Sequence, residues 1–167
     1  MIRDINQAEL EKHFYKLVAQ VEAGEHFDFA NPRHNAWLKR RITAHFSRGA
    51  RFFAVFQENG QPIGFAGLLT NEPLDNTVDF GRSAELLEIG VLAEYRGQGY
   101  GKMLIEHAEK LARESGAYCL YIVTYVRDYR NIAFYGHHGY IPVATLPDVN
   151  GPGDDGNVYM RKIIAEK

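Results

Sequence analysis

Residues 85–102 read ELLEIGVLAEYRGQGYGK, an apolar run followed by three glycines spaced two apart, and a helical pattern continues beyond them. Glycine loses more backbone freedom on folding than any other residue, so three beside ordered segments need a reason. A loop between a strand and a helix N-terminus collects unpaired N–H groups at the positive end of the helix dipole. Glycines there permit positive φ and let an anion reach those amides without meeting a Cβ atom. The stretch therefore predicts a cradle for a phosphate or diphosphate, with Arg96 and Lys102 adding positive charge at its edges.

Two common nucleotide-binding motifs do not fit this stretch. A Walker A loop needs Ser or Thr after Gly-Lys, but Met103 follows Lys102. A dinucleotide fingerprint, G-x-G-x-x-G, would need glycine at Lys102 or Leu104. The pattern [QR]-x-x-G-x-[GA] does fit, as Arg96-Gly97-Gln98-Gly99-Tyr100-Gly101.

With this motif between an apolar strand and an amphipathic helix, the sequence resembles the GNAT superfamily of acyl-CoA-dependent N-acyltransferases. The stretch NIAFYGHHGY (131–140) is similar to the family's later signature, an Asn, an aromatic-Tyr pair and a Gly-aromatic ending. Residues 84–145 carry the resemblance, while the first half is similar only in layout. The sequence departs from the family at Gly136-His137-His138, where members usually have a charged pair. Adjacent helical residues point about 100° apart, so these histidines make a poor shared metal site.

The resemblance implies acetyl-CoA as co-substrate and assigns the residues that bind it. The amides of the motif would hold the diphosphate. The backbone of Ile89 and Val91 would pair with the pantetheine arm, on either side of a bulge at Gly90. A backbone N–H near Val91 or Leu92 would stabilise the developing oxyanion. The residues expected to bind the cofactor are Ile89, Gly90, Val91, Arg96, Gly97, Gln98, Gly99, Tyr100, Gly101, Lys102 and Asn131.

Two further residues are expected to move protons. Tyr135 suits the protonation of the departing thiolate, because a phenol stays protonated at neutral pH. Glu85 and Glu88 both lie in an otherwise apolar strand, on opposite faces by alternation. Counting back from Arg96 places Glu85 where histone-acetylating members of the family carry their base. Glu88 and a chain of water molecules remain the alternatives.

The hydrophobic pattern predicts an α/β fold with a mixed, mostly antiparallel central sheet flanked by helices, as one domain over residues 1–167. The crossover through one helix makes two strands parallel, and the resemblance implies that these two central strands splay apart. Expected strands cover 1–4, 50–57, 62–70, 85–92, 117–126, 140–146 and 157–164; expected helices run from Asn6 to Gly24, from Asn31 to Gly49, and over 99–115 and 130–138. Asn6 and Glu9 form an N-x-x-E pattern that resembles a capping box, and Asn31-Pro32 is expected to be the N-cap and first position of the second helix.

Composition excludes several classes of partner. The formal net charge is −2, so nucleic acid is not expected as a partner. No apolar stretch approaches the roughly 20 residues of a membrane helix, and the N-terminus does not look like a signal peptide. The single cysteine, Cys119, fits a reducing compartment, so the expected location is cytoplasmic.

No metal is expected, because the calcium-like stretch 148–157 has Pro152 and lacks the closing acidic ligand.

The resemblance implies an N-acetyltransferase that moves an acetyl group from acetyl-CoA to a primary amine, by direct transfer in a ternary complex. The acceptor is a small amine or a peptide or protein amine, and acidic residues in the loops 71–82 and 147–156 favour a cationic one. The alternative is a non-catalytic acyl-CoA-binding sensor or regulatory domain. The resemblance also allows a homodimer.

Overall fold

The computed structural model describes residues 1–23, 27–71, 82–149 and 151–165. Seven strands form one sheet in the order β1-β2-β3-β4-β5-β7-β6, and a single turn of 3-10 helix precedes α3. The elements are β1 (Ile2–Ile5), α1 (Gln7–Ala23), α2 (Pro32–Ser47), β2 (Arg51–Phe56), β3 (Pro62–Asn71), β4 (Arg82–Val91), α3 (Tyr100–Glu114), β5 (Ala117–Tyr125), α4 (Tyr129–His137), β6 (Ile141–Leu146) and β7 (Asn157–Ile163).

The pairing of these strands confirms the predicted mixed, mostly antiparallel sheet. Strands β1–β2, β2–β3, β5–β7 and β6–β7 pair antiparallel, and β4–β5 pair in parallel. The parallel register runs from Arg82–Ala117 to Leu86–Ile122, and both strands continue beyond these last partners. An end to the pairing within the strands is what the predicted splaying requires.

The chain divides into two compact units. The first comprises Met1–Leu69 and Glu88–Ala108, and the second comprises Thr70–Leu87 and Glu109–Lys167. The single domain expected from the sequence stays a prediction. None of the described helices is both long and apolar enough to cross a membrane.

Side-chain caps determine where α1 and α2 of the first unit begin. The Glu9 amide donates to Asn6 Oδ1 at 2.9 Å and the Asn6 amide donates to Glu9 Oε2 at 3.1 Å, which is a capping box. Asn31 accepts from the Arg33 amide at 2.9 Å, with Pro32 in the first helical position. Both helix starts follow the prediction from sequence, because caps depend on a few adjacent residues.

The second unit contains a buried carboxylate that is fully partnered. Lys162 Nζ donates to both oxygens of Glu109, at 2.8 and 2.9 Å, and the Tyr140 hydroxyl donates at 3.1 Å. Burial and the nearby Glu109 raise the pKa of Tyr140 well above its ordinary value. This network links α3 to β7 within the second unit through the buried carboxylate of Glu109.

Lys162→Met is expected to lower the free energy of unfolding by about 2 kcal/mol, because it leaves the buried charge of Glu109 poorly compensated. Urea denaturation followed by circular dichroism measures the change. Lys110→Met is the control: its ammonium lies 3.8 Å from Glu114 on the surface. That exposed pair contributes less than about 0.5 kcal/mol. Equal losses of unfolding free energy in the two variants would show that the buried pair contributes no more to stability than the exposed one.

Candidate active site

The loop between β4 and α3 has the backbone conformation that the glycines predict. Gly97 and Gly99 adopt φ values of +75° and +88°, a region that residues with a Cβ atom rarely enter. A Cβ atom at either position would meet nothing within 4 Å. Gly101 lies in the first turn of α3 and is not among the glycines with positive φ. The loop is therefore open to solvent, and two of its three glycines are required by the backbone conformation.

The same loop presents a row of unpaired donors. The backbone N–H groups of residues 97–102 donate no hydrogen bond to any part of the chain that the structure describes. The first helical bond of α3 runs from the Met103 amide to the Gly99 carbonyl at 3.1 Å. Six amides at the positive end of a helix dipole suit an anion with several acceptor oxygens. The loop thus fits the diphosphate that the sequence analysis expected here.

Side chains of the motif shape the loop. Arg96 Nε donates to the Val91 carbonyl at 3.0 Å, and Gln98 Nε2 donates to the Glu94 carbonyl at 3.1 Å. Both side chains therefore tie the loop to the chain that precedes it. Lys102 is exposed, with its ammonium 3.7 Å from Glu106, and it supplies positive charge beside the amides.

Strand β4 separates its two glutamates, as alternation predicts. Glu88 lies on the buried face together with Gly90. Glu85 is half-buried on the opposite face, which it shares with Ile89 and Val91. Glu85 therefore lies on the same side of β4 as the two residues expected to pair with the pantetheine arm, and Glu88 does not.

Gly90 has a packing reason that the sequence did not reveal. A Cβ atom there would lie 2.9 Å from Leu17 Cγ and 3.2 Å from a ring carbon of Phe65. Helix α1 packs directly against the strand at this point, so only glycine fits. The one irregularity recorded in the β4–β5 register lies between Arg82 and Ser83. The printed register ends at Leu86 and does not reach Gly90, so close packing is one reason for this glycine and the expected bulge stays a prediction.

Helix α4 in the second unit carries Asn131 and Tyr135. Asn131 belongs to the helix cap: its amide and its Nδ2 donate to the two oxygens of Asp128 at 3.0 and 2.8 Å. Tyr135 is 5 % exposed, with its ring edge-on to that of Tyr140. Burial raises the pKa of the Tyr135 phenol well above its ordinary value, so this group holds its proton at neutral pH. His137 Nδ1 lies 2.7 Å from the Ala133 carbonyl, a contact within the helix end.

A second cluster of ionisable groups lies in the first unit. His45 Nε2 is 3.3 Å from Glu88 Oε1 and 3.7 Å from Glu22 Oε1, and Arg41 forms an ion pair with Glu22. Glu22 and Glu88 raise the pKa of His45 to about 9 against the effect of its burial. Burial raises the pKa of Glu88 to about 7, with His45 opposing the rise and Glu22 adding to it. Hydrophobic periodicity did not predict this cluster, although His45 continues the buried stripe of α2.

Comparisons with known proteins agree with this geometry. The model of the acetyltransferase (GNAT) family matches residues 12–140. A curated relative, the uncharacterized N-acetyltransferase YhfO of Bacillus subtilis, is 27 % identical over 129 residues, which cover 77 % of this chain and 75 % of the relative.

Solved structures share the fold over nearly the whole length. Aminoglycoside 6'-acetyltransferase type Ii has a TM-score of 0.74 at 19 % identity, covering 100 % of this chain and 99 % of that one. The structure of yncA from Salmonella typhimurium with its cofactor acetyl-CoA has a TM-score of 0.69 at 16 % identity, covering 100 % and 95 %. Because the family model spans most of the chain, including the open glycine loop and Tyr135, this chain belongs to the GNAT acetyltransferase family.

Proposed function

We propose that this protein transfers the acetyl group of acetyl-CoA to a primary amine, by direct transfer in a ternary complex. The observation that carries the proposal is the open row of six amides at residues 97–102. These donors lie at the positive end of a helix dipole and so complement the negative charge and the several acceptor oxygens of a diphosphate. Family membership supplies acetyl transfer as the class of reaction.

The end of β4 supplies the group that stabilises the oxyanion. The sequence left Val91 and Leu92 as candidates, and the Leu92 amide donates to the Ile63 carbonyl at 2.9 Å. The role therefore falls to the amide of Val91, with Ile89 and Val91 binding the pantetheine arm through their backbone. A donor fixed in place before reaction stabilises developing charge without reorganisation.

Tyr135 and Glu85 carry the two proton transfers. A primary ammonium has a pKa near ~10, so it must lose a proton before its nitrogen attacks the thioester. Glu85 accepts that proton, directly or through water, from the half-buried face of β4. Tyr135 gives its proton to the thiolate as the carbon–sulfur bond breaks. The second proton, which the nitrogen loses after it has bonded to the acetyl carbon, restores the phenol, and Glu85 releases the first proton to solvent.

Glu85→Gln is expected to lower kcat/KM for the amine by at least about tenfold, because the amide cannot accept the proton. The affinity for acetyl-CoA should stay unchanged. Steady-state kinetics with varied amine concentration measures the effect, and Glu58→Gln, an exposed change in the β2–β3 turn, is the control. Wild-type kinetics in Glu85→Gln would assign the base to another group.

The acidic loop residues that were expected to favour a cationic acceptor have partners where the structure describes them. Of the loop 71–82, residues 72–81 lie outside the described residues. In the 147–156 loop, Asp154 accepts from the Tyr125 hydroxyl at 2.9 Å, Asp155 pairs with Arg127, and Asp148 accepts from the Gly153 amide. Because these acids already have partners, they give little support to a cationic acceptor.

The functional test is thiol release from acetyl-CoA in the presence of an amine panel: polyamines, aminoglycosides, amino acids, and peptides with free lysine or N-terminal amines. At least one amine should accelerate release and yield the N-acetyl product by mass spectrometry. Binding of acetyl-CoA without release for any amine would favour the sensor. We propose that the reaction takes place in the cytoplasm, in keeping with the free Cys119. Light scattering tests whether the chain forms the homodimer that the resemblance allows.

A further inference from the structure

Three ionisable side chains from three elements meet inside the first unit. Glu22 lies near the end of α1, His45 in α2 and Glu88 in β4, with 8 %, 6 % and 1 % of their side chains exposed. One nitrogen or oxygen atom of each lies within 4.8 Å of the corresponding atoms of the others. Groups of this kind are rarely buried unless they are paired or hold a cation.

The atoms at the centre of the cluster lack hydrogen bonds. Both ring nitrogens of His45 and both oxygens of Glu88 are buried without a hydrogen-bond partner among the described residues. Buried polar atoms are nearly always paired, so unpaired atoms on two neighbouring side chains need an explanation. Glu109 in the second unit is as deeply buried, yet Lys162 and Tyr140 satisfy its oxygens.

Two distances within the cluster are close to the edges of a coordination shell. Donor atoms bound at about 2.0–2.1 Å to a tetrahedral ion lie roughly 3.3–3.4 Å apart. His45 Nε2 lies 3.3 Å from Glu88 Oε1 and 3.7 Å from Glu22 Oε1. Arg41 contacts the other oxygen of Glu22, as a group that orients a ligating carboxylate does.

Charge balance favours a cation at the same place. Glu22 and Glu88 place two carboxyl groups away from water, and the Arg41 guanidinium forms an ion pair with Glu22. A second proton on His45 would also supply charge. It would, however, turn both ring nitrogens into donors, and neither has an acceptor in hydrogen-bond geometry. An ion on Nε2 uses that nitrogen and the Glu88 oxygens at once.

We propose that Glu22, His45 and Glu88 supply three ligands to one first-row divalent metal ion, with a water molecule as the fourth ligand and Zn²⁺ as the best match to one imidazole and two carboxylates. Such an ion joins α1 and α2 to β4 within the first unit. It also fixes the strand at Glu88, the residue before Ile89. The proposal replaces the expectation of no metal, and it is independent of the acetyl transfer proposed above.

The test is metal content and Co²⁺ binding. Protein produced with added Zn²⁺ and then dialysed is expected to hold about one ion per chain by mass spectrometry of the metal. The metal-free protein should develop the visible absorption of four-coordinate Co²⁺. Glu88→Gln and His45→Gln should reduce both signals to background, whereas Glu109→Gln, the matched buried carboxylate of the second unit, should keep them.

Three results would overturn the proposal. The first is less than about 0.1 ion per chain with no Co²⁺ absorption in the wild-type protein. The second is metal binding that Glu88→Gln leaves intact. The third is a melting temperature that a chelator leaves unchanged in wild-type protein shown to hold the ion. The first and third measurements use wild-type protein alone, so misfolding of a variant does not affect them.

Discussion

Tyr135→Phe is expected to lower kcat for acetyl transfer by about 100-fold or more, since positioned general acids contribute roughly 10²–10⁴-fold. The phenol is buried and keeps its proton at neutral pH, whereas phenylalanine has none to give. The ring itself is retained, so the Kd for acetyl-CoA should not change. Thiol-release kinetics and calorimetry separate the two effects.

Tyr140→Phe is the matched control for this result. Tyr140 is also buried on the second unit, and its hydroxyl donates to Glu109. Removing that hydroxyl should lower the free energy of unfolding by about 1 kcal/mol and leave kcat nearly unchanged. If Tyr135→Phe turned over at the wild-type rate, the thiolate would take its proton from another group.

Gly99→Leu is expected to raise the Kd for acetyl-CoA by about 100-fold, a loss of roughly 2.7 kcal/mol. Gly99 has φ of +88°, and the space beyond it is where the diphosphate must approach the amides. A leucine side chain would fill that space and also pull the backbone away from its left-handed conformation. Calorimetric titration with acetyl-CoA measures the change.

Gly60→Leu separates backbone strain from loss of the site. Gly60 lies in the β2–β3 turn with φ of +81° and, like Gly99, has nothing within 4 Å of its hypothetical Cβ atom. The two substitutions should therefore cost similar stability, but only Gly99→Leu should weaken binding. Equal affinities in the two variants would remove the loop from the cofactor site.

The features that the sequence predicted correctly depend on short-range chemistry. The capping box at Asn6 and Glu9, the Asn31 cap and the positive φ of Gly97 and Gly99 each follow from a few neighbouring residues. The boundaries of β2 and α3 fall within one or two residues of the predicted ones for the same reason. Local propensity and the fold agree at these positions.

The features that the sequence missed depend on partners far along the chain. Strand β7 pairs with both β5 and β6, an order that hydrophobic patterns do not encode. Gly90 is glycine because Leu17 of α1 lies against it. The cluster of Glu22, His45 and Glu88 forms only when three separate elements pack together. Periodicity places each residue on a face and leaves open what that face meets.

The most direct test of the central claim is an amide-resolved NMR titration of the protein with acetyl-CoA. The account predicts that the largest, saturable shifts belong to the backbone N–H groups of residues 97–102, because these donors take up the diphosphate oxygens. Acetyl-pantetheine, which lacks the diphosphate, should leave those amides nearly unmoved. Saturable binding of acetyl-CoA with no shift in residues 97–102, or no binding at all, would contradict the account.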